Sequence, residues 1–257
     1  MTKNNYIVCS TVRSGSTLLC RTLETLDGFG QPEEYFHRHR LEALNLENSP
    51  DDFLQYCHSI FTQDTPDRFG IKMHWWQLME FLALGRELPQ FRDKSDLDIL
   101  NGIFPNLRFI YLWRRDVTSQ AVSAAIASQT GQWEKSMHNT SNKLRPVKFQ
   151  PWKIYEWEQS LKEQNHCWQT FFQTNQLDYY AITYEDLVES FTENVAQVIS
   201  HIDGQQNPPS TPLTMPTQRQ SNRVNRRFST YYRLMPKSLL STLFQLYCRV
   251  TQNGGGV

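Results

Sequence analysis

Short apolar runs alternate along this chain with longer stretches of helical periodicity. Residues 6–10, Tyr-Ile-Val-Cys-Ser, form the first apolar run, the pattern of a strand buried in a parallel sheet. Residues 17–26 then carry Leu18, Leu19, Leu23 and Leu26 at helical spacing. Residues 27–34 hold two glycines and a proline and read as loop. Amphipathic helical patterns follow over 37–46 and 51–62. Phe-Gly-Ile-Lys-Met at 69–73 is a second strand candidate, followed by the apolar run HWWQLMEFLAL. The clearest strand is 107–113, Leu-Arg-Phe-Ile-Tyr-Leu-Trp. Asp116 suits the N-cap of a helix over 117–129, and Gly131 suits its end. Residues 137–151 are polar and irregular, a surface loop. A long helix is predicted over 152–172, with Ile154, Trp157, Leu161, Trp168 and Phe171 on one face. Residues 178–184 read as a fourth strand and 193–202 as a helix. A proline-punctuated linker at 210–216 leads to an Arg-rich segment at 218–234 and a closing amphipathic helix at 239–250.

Strands separated by helical segments predict an α/β fold, with a parallel central sheet flanked by helices. Such sheets bind ligands at the carboxyl ends of strands, near a topological switch point. Two stretches sit at such ends: the turn after Ser10 and the segment after Trp113. The whole chain, 1–257, reads as one domain with a C-terminal Arg-rich arm and helix at about 217–252.

Composition narrows the function. The chain has 257 residues, 39% hydrophobic, enough for a substantial core. Formal net charge is +0, so no general attraction to nucleic acid is expected and any cationic site must be local. The five cysteines are odd in number and form no CxxC pair, which favours free thiols in a reducing compartment. No apolar stretch approaches the roughly 20 residues that cross a bilayer. The N-terminal residues read as a strand, not a signal peptide. A cytoplasmic protein is the expectation.

The turn after Ser10 is Thr-Val-Arg-Ser-Gly-Ser-Thr. A strand–turn–helix junction offers backbone N–H groups and a positive helix end to an anion. Ser14, Gly15, Ser16 and Thr17 add close approach and hydroxyl donors. The turn resembles a P-loop but lacks two marks of the ATP/GTP motif: Ser10 stands where glycine belongs, and Ser16 where lysine belongs. The cation is instead Arg13. No Mg²⁺ carboxylate is evident after a strand, so nucleoside triphosphate chemistry is poorly supported. A terminal sulfonate fits better, because it carries one negative charge and transfers without Mg²⁺.

The second strand end reads FIYLWRRDVTSQAVSAAIASQTGQW. Arg114 and Arg115 leave the strand directly, and Ser123 lies about two helical turns beyond Arg115. A guanidinium fork with a hydroxyl suits a phosphate that is bound but not transferred. The set resembles the sulfotransferase nucleotide site, where an arginine and a serine in these places bind the 3′-phosphate of 3′-phosphoadenosine 5′-phosphosulfate.

RSGSTLL, GQPEEYF, WRRDVTSQAVS with SQTGQW, ITYEDL, and RQ opening the Arg-rich segment occur in this order. Together they resemble the bacterial trehalose 2-sulfotransferase-like family over about residues 6–233. The resemblance implies a sulfotransferase version of the P-loop NTPase-like fold, often homodimeric, with 3′-phosphoadenosine 5′-phosphosulfate as co-substrate and no metal. It implies that Arg13, Ser14, Gly15, Ser16 and Thr17 hold the 5′-phosphosulfate, with Arg13 also catalytic. Arg115 and Ser123 would hold the 3′-phosphate, and Arg219 would close over the nucleotide. Glu34 stands where the family carries its general base, with Glu33 a supporting or solvent residue. The implied acceptor is a carbohydrate or other small hydroxyl compound. Gln31, where an acidic residue is associated with the trehalose enzyme, weighs against trehalose itself. Segments 38–67 and 85–98 would shape the acceptor pocket.

Other residues have weaker claims. Lys72 and His74 lie near a strand's carboxyl end and face the acceptor in this reading, with His74 the second candidate base. Trp75, Trp76 and Trp133 suit stacking on a sugar or adenine, and equally suit a core. His37 and His39 form half a metal site with no third ligand nearby. Tyr184, Glu185 and Asp186 read as architectural, with a capping role. Two alternatives are an ATP-using P-loop kinase, opposed by the missing lysine, and a non-catalytic nucleotide-binding protein.

Overall fold

The structure is a computed structural model, and it describes residues 4–46, 49–62, 68–133, 147–204, 213–216 and 223–253. In chain order the elements are β1 (Asn4–Ser10), α1 (Ser16–Glu24), α2 (Arg38–Ala43), α3 (Pro50–Thr62), β2 (Arg68–His74), α4 (Trp75–Glu87) and α5 (Asp96–Ile103). There follow β3 (Leu107–Trp113), α6 (Val117–Thr130), α7 (Pro151–Thr174), β4 (Tyr179–Thr183), α8 (Tyr184–Glu189), α9 (Phe191–Asp203), α10 (Arg223–Leu234) and α11 (Lys237–Asn253). The expected α/β class holds: the strands form one parallel sheet in the order β2-β1-β3-β4.

Two compact units divide the chain. The first comprises Met1–Trp113 and Gln164–Pro216, the second Arg114–Glu163 and Thr217–Val257. In the first unit the alternation of strand residues builds two cores. Ile7 and Cys9 of β1, Phe69, Ile71 and Met73 of β2, and Phe109 and Tyr111 of β3 face one side. There they meet α3, α4, α5 and the Trp168–Phe172 end of α7. Tyr6, Val8, Ile110 and Leu112 face the other side, against α1, α8 and α9. Both faces are therefore covered, as an all-parallel sheet requires.

The register places the site. Ser10 pairs with His74 on one side and Leu112 on the other, so three strands end together. From β1 the chain goes first to β2 and then crosses to β3 on the opposite side, which makes the β1–β3 boundary the switch point. Trp168 fixes the end of β1 by donating its indole N–H to the Ser10 carbonyl at 2.9 Å, wholly inside the core. The loop before α2 adds to the edge of the sheet: Glu33 forms a parallel bridge with Ile71, and the Lys72 N–H donates to the Glu33 carbonyl at 3.0 Å.

In the second unit Asp116 caps α6, accepting from the Ser119 N–H at 2.9 Å, and Gly131 closes it at φ 71°. Arg233 of α10 donates to both Asp116 oxygens at 2.7 Å. Glu158 of α7 is 3% exposed. It accepts from the Thr118 and Tyr232 hydroxyls at 2.8 and 2.9 Å and pairs with Lys237 at 2.9 Å, tying α6, α7, α10 and α11 to one carboxylate. Burial alone would raise its pKa. The hydrogen bonds from Lys237, Thr118 and Tyr232 outweigh burial and hold it below the usual range.

Several boundaries differ from expectation. Residues 37–46 yield only a six-residue helix, because His37 is its cap and the chain turns at Leu44 and Asn45, where Asn45 takes φ 55°. Helix α5 was not expected from the pattern; Ser95 caps it and Ile99, Leu100 and Ile103 bury its face. Residues 137–146 of the irregular 137–151 segment and 210–212 of the 210–216 linker lie outside the described residues.

Gly70 has a specific packing role. It pairs with Tyr6 in the register, and a Cβ there would collide with the buried Tyr6 ring and hydroxyl. That hydroxyl donates to the Phe29 carbonyl at 2.8 Å. Gly70→Ala is expected to cost about 1–3 kcal/mol through overpacking. Urea unfolding checks this, with a lowered midpoint and an unchanged slope expected.

Candidate active site

The turn between β1 and α1 is tightly wound. Arg13 takes φ 62° and Gly15 φ 94°, so left-handed residues alternate with Ser14. Such alternation lets successive N–H groups converge on an anion. Gly15 is required on two counts: its positive φ, and the Tyr184 ring lying against the position a Cβ would occupy. Gly15 caps α1 without a side chain, and the first turn of α1 carries no acidic residue. Positive helix-end charge is thus left for an incoming ligand.

Ser14 is wholly buried, and its hydroxyl has no hydrogen-bond partner among the described residues. A buried hydroxyl left unpaired costs about 1–3 kcal/mol. That cost is relieved if an anionic oxygen seats in the turn, so the turn fits a bound anion.

The turn motif itself has no lysine, but a lysine reaches it from β2. Facing alternates along β2, so Phe69, Ile71 and Met73 enter one core while Gly70, Lys72 and His74 point to the α1 side. Lys72, 7% exposed, donates from Nζ to Thr17 Oγ1 at 2.9 Å. The same ammonium lies 2.7 Å from Glu34 Oε1. One cation therefore joins the candidate base to the candidate anion turn.

Glu34 is engaged on both oxygens. Gln77, buried in the first turn of α4, donates from Nε2 to Glu34 Oε2 at 2.7 Å. Its Oε1 accepts from the His74 N–H at 2.7 Å, which fixes the amide orientation. His74 Nε2 stands 3.6 Å from Glu34 Oε1, an electrostatic contact too long for a hydrogen bond. Its Nδ1 lies 3.0 Å from Ser10 Oγ.

Burial would raise the Glu34 pKa. The positive charges of His74 and Lys72 and the hydrogen bonds from Lys72 and Gln77 act the other way and bring it to about 2. Burial also drives His74 down to about 4, with Glu34 opposing that shift. At neutral pH His74 is therefore uncharged, and Lys72 is the cation that keeps Glu34 ionised.

The neighbouring carboxylate has a different setting. Glu33 is 44% exposed against 26% for Glu34, and it pairs with Arg40 at 3.1 Å. Gln31 is exposed, and its carbonyl accepts from the Tyr35 hydroxyl at 2.7 Å. Arg115 is exposed just ahead of α6, and Ser123 is half-buried within that helix, both in the second unit. Arg219 lies outside the described residues.

The lesser candidates are mostly structural. Trp75 packs edge-on against Trp168 and Phe171 in the core. Trp76 stands edge-on to His37, and Trp133, 41% exposed, stands edge-on to Trp157. His37 caps α2 by accepting from the His39 N–H, and His39 faces Glu42. Among the described residues no group of three or more His, Cys, Asp or Glu side chains is placed to hold a metal ion. The cap of α8 is Thr183, whose hydroxyl accepts from the Asp186 N–H and donates to the Asp186 carboxylate. Tyr184 instead buttresses Gly15. Gln77 went unnoticed in the sequence, and Ser10 was read only as a departure from the ATP/GTP motif: each matters because the register brings it to Glu34 or His74.

Comparison with known proteins agrees with this geometry. The family model described as Stf0 sulphotransferase matches residues 5–234. The chain is 26% identical to a trehalose 2-sulfotransferase of Mycobacterium tuberculosis (strain ATCC 35801 / TMC 107 / Erdman), over 89% of this chain and 94% of that one. It is 25% identical to a trehalose 2-sulfotransferase of Mycolicibacterium smegmatis (strain ATCC 700084 / mc(2)155), over 76% and 82% respectively. A solved sulfotransferase from Alicyclobacillus acidocaldarius superposes over 96% of each chain, with a TM-score of 0.49 and 13% identity. An anion turn with an orphaned hydroxyl, a carboxylate tethered to it through lysine, and a family match over most of the length converge: the chain belongs to the Stf0 sulphotransferase family and is a sulfuryl-transferring enzyme.

Proposed function

We propose that this enzyme moves a sulfuryl group from 3′-phosphoadenosine 5′-phosphosulfate to a hydroxyl of a carbohydrate or other small acceptor. The observation that carries this reading is the Lys72 ammonium, held between Glu34 and Thr17 of the anion turn. The names of the mycobacterial relatives support a carbohydrate acceptor. In this reading Arg13 and residues Ser14–Thr17 hold the 5′-phosphosulfate and neutralise charge on the transferring group. Arg115 and Ser123 hold the 3′-phosphate, joined by Arg219. Both compact units serve one sulfotransferase domain, with the arm and helix at about 217–252 as part of it.

The acceptor oxygen forms a new S–O bond as the S–O bond to the 5′-phosphate breaks. The bonding electron pair leaves with adenosine 3′,5′-bisphosphate, and the hydroxyl proton passes to Glu34. Gln77 and Lys72 aim the Glu34 carboxylate, and its 26% exposure leaves a side open to an acceptor. His74, neutral and bonded to Ser10, shapes the far wall of the carboxylate.

A cytoplasmic setting and a homodimer complete the proposal. The first is supported by the five free cysteines, three of them buried, and by the lack of any helix among the described residues long and apolar enough to cross a membrane. The second is supported by Leu239 and Leu246 of α11, 45% and 50% exposed.

Glu34→Gln keeps the shape and the Gln77 contact site but removes the proton acceptor. Turnover with a carbohydrate acceptor panel is expected to fall by about 10²–10⁴, while calorimetric affinity for adenosine 3′,5′-bisphosphate changes little. Near-normal turnover would take Glu34 out of the mechanism. Arg115→Ala is expected to weaken the bisphosphate about 10- to 100-fold, the worth of a charge-assisted contact. Unaltered affinity would move the 3′-phosphate elsewhere.

A further inference from the structure

Lys72 has two anchors with different functions. Glu34, at 2.7 Å, is the candidate base; Thr17 Oγ1, at 2.9 Å, belongs to the turn where the donor's anionic end would sit. The lysine is almost entirely buried, so its ammonium is not shared with solvent. An anion that reaches the Thr17 hydroxyl comes within reach of Nζ, which already touches that hydroxyl. A lysine stem is flexible and its head is a compact point charge, so a small swing exchanges one anionic partner for another. The groups facing Glu34 limit what remains after such a swing. They are Lys72 and His74 from β2 and Gln77 from α4, with His37 the next titratable neighbour of His74. His74 is neutral at working pH and Gln77 carries no charge, so Lys72 alone among these supplies a full positive charge to the carboxylate.

We propose that Lys72 is a shared cation: it rests on Glu34 and Thr17 in the donor-free protein and is drawn onto the sulfonate when the donor enters, so that Glu34 becomes a competent proton acceptor only once the donor is seated. This rests on the reading of the reaction given above and adds an order of events to it. Without donor, Lys72 suppresses the basicity of Glu34. With donor, the cation serves the transferring group and the carboxylate is released toward the acceptor hydroxyl. Lys72 is then both a ligand of the transferring group and the positioning residue for Glu34. By linkage, protonation of Glu34 and donor binding favour one another.

The sign of the effect is fixed by the charges. Glu34 sits near 2 in the donor-free protein, below its ordinary value of roughly 4.3; His74 and then Lys72 are the charges that lower it, so withdrawing Lys72 moves it up. The test is ¹³C NMR of protein labelled at glutamate Cδ, with the Glu34 signal assigned by its absence in Glu34→Gln. Spectra are followed from pH 7 down to about 3, free and saturated with 3′-phosphoadenosine 5′-phosphosulfate in the absence of acceptor. Glu34 is expected not to reach its midpoint in the free protein over this range, and to show a raised midpoint inside it with donor bound, His74 and Gln77 still holding it down in part. In Lys72→Met the midpoint should be raised already without donor, and donor should move it by less than half the wild-type shift. Lys72→Gln, which keeps a hydrogen-bonding head without charge, should behave as Lys72→Met and serves if the methionine variant does not fold. Calorimetry on the same samples establishes donor binding separately. An unmoved Glu34 signal with donor bound overturns the proposal, as does a full wild-type shift in the uncharged variants, which would assign the effect to the donor's own charge. Absence of donor binding to the wild-type protein would instead refute the sulfuryl donor itself, and with it this mechanism.

Discussion

The register between β1 and β2 is the constraint on which the site depends. It pairs Ser10 with His74 and Val8 with Lys72, so the strand leading into the anion turn and the strand carrying the lysine finish at the same level. A slip of one residue would send Lys72 into the core now filled by Ile71 and Met73, and would turn those apolar side chains toward α1. The hydrophobic alternation of β2 therefore secures more than packing. By holding three apolar residues on one face it obliges Lys72 to face Thr17.

The same strand also recruits the carboxylate. Glu33 bridges to Ile71 along the outer edge of β2, and its carbonyl accepts from the Lys72 N–H. Adjacent residues in an extended backbone point to opposite sides. Once Glu33 is bridged, its side chain turns out to Arg40, and Glu34 turns in to Lys72 and Gln77. Two consecutive glutamates thus receive opposite surroundings from one backbone contact. A lysine absent from the turn's own sequence, whose cation is Arg13, is supplied by the neighbouring strand, so the missing lysine of an ordinary phosphate-binding loop is a change of address as much as a loss.

Much of this architecture was legible in the chain. The apolar run 107–113 coincides with β3, and Asp116 and Gly131 bound α6 as cap chemistry requires. Strand β2 was foreseen within a residue at either end. What escaped were features set by distant partners. Helix α5 is short, and its apolar residues acquire meaning only from the core they enter. Glu158 looks like an ordinary surface charge on a helix until Thr118, Tyr232 and Lys237 close around it. Gln77 is the clearest case: an amide in an apolar helix start, informative only once its oxygen is bound to the His74 backbone and its nitrogen to Glu34.

The choice between Glu34 and His74 as proton acceptor turns on partners as much as on proton affinity. His74 has the higher value of the two, about 4 against about 2, yet both rest below the range suited to a base at neutral pH. The histidine has little means of improvement. Its low value comes first from burial, and its Nδ1 is occupied by Ser10. Glu34 is depressed chiefly by charged and hydrogen-bonding neighbours acting against burial. Burial is fixed by the fold, whereas an ion pair to a flexible lysine can be exchanged when another anion arrives. For Glu34 burial itself acts toward a stronger base, so withdrawing a cation frees it; for His74 burial is the first cause of the low value and stays when Lys72 moves. That asymmetry favours the carboxylate in the proposed mechanism, where Lys72 leaves Glu34 as the donor enters.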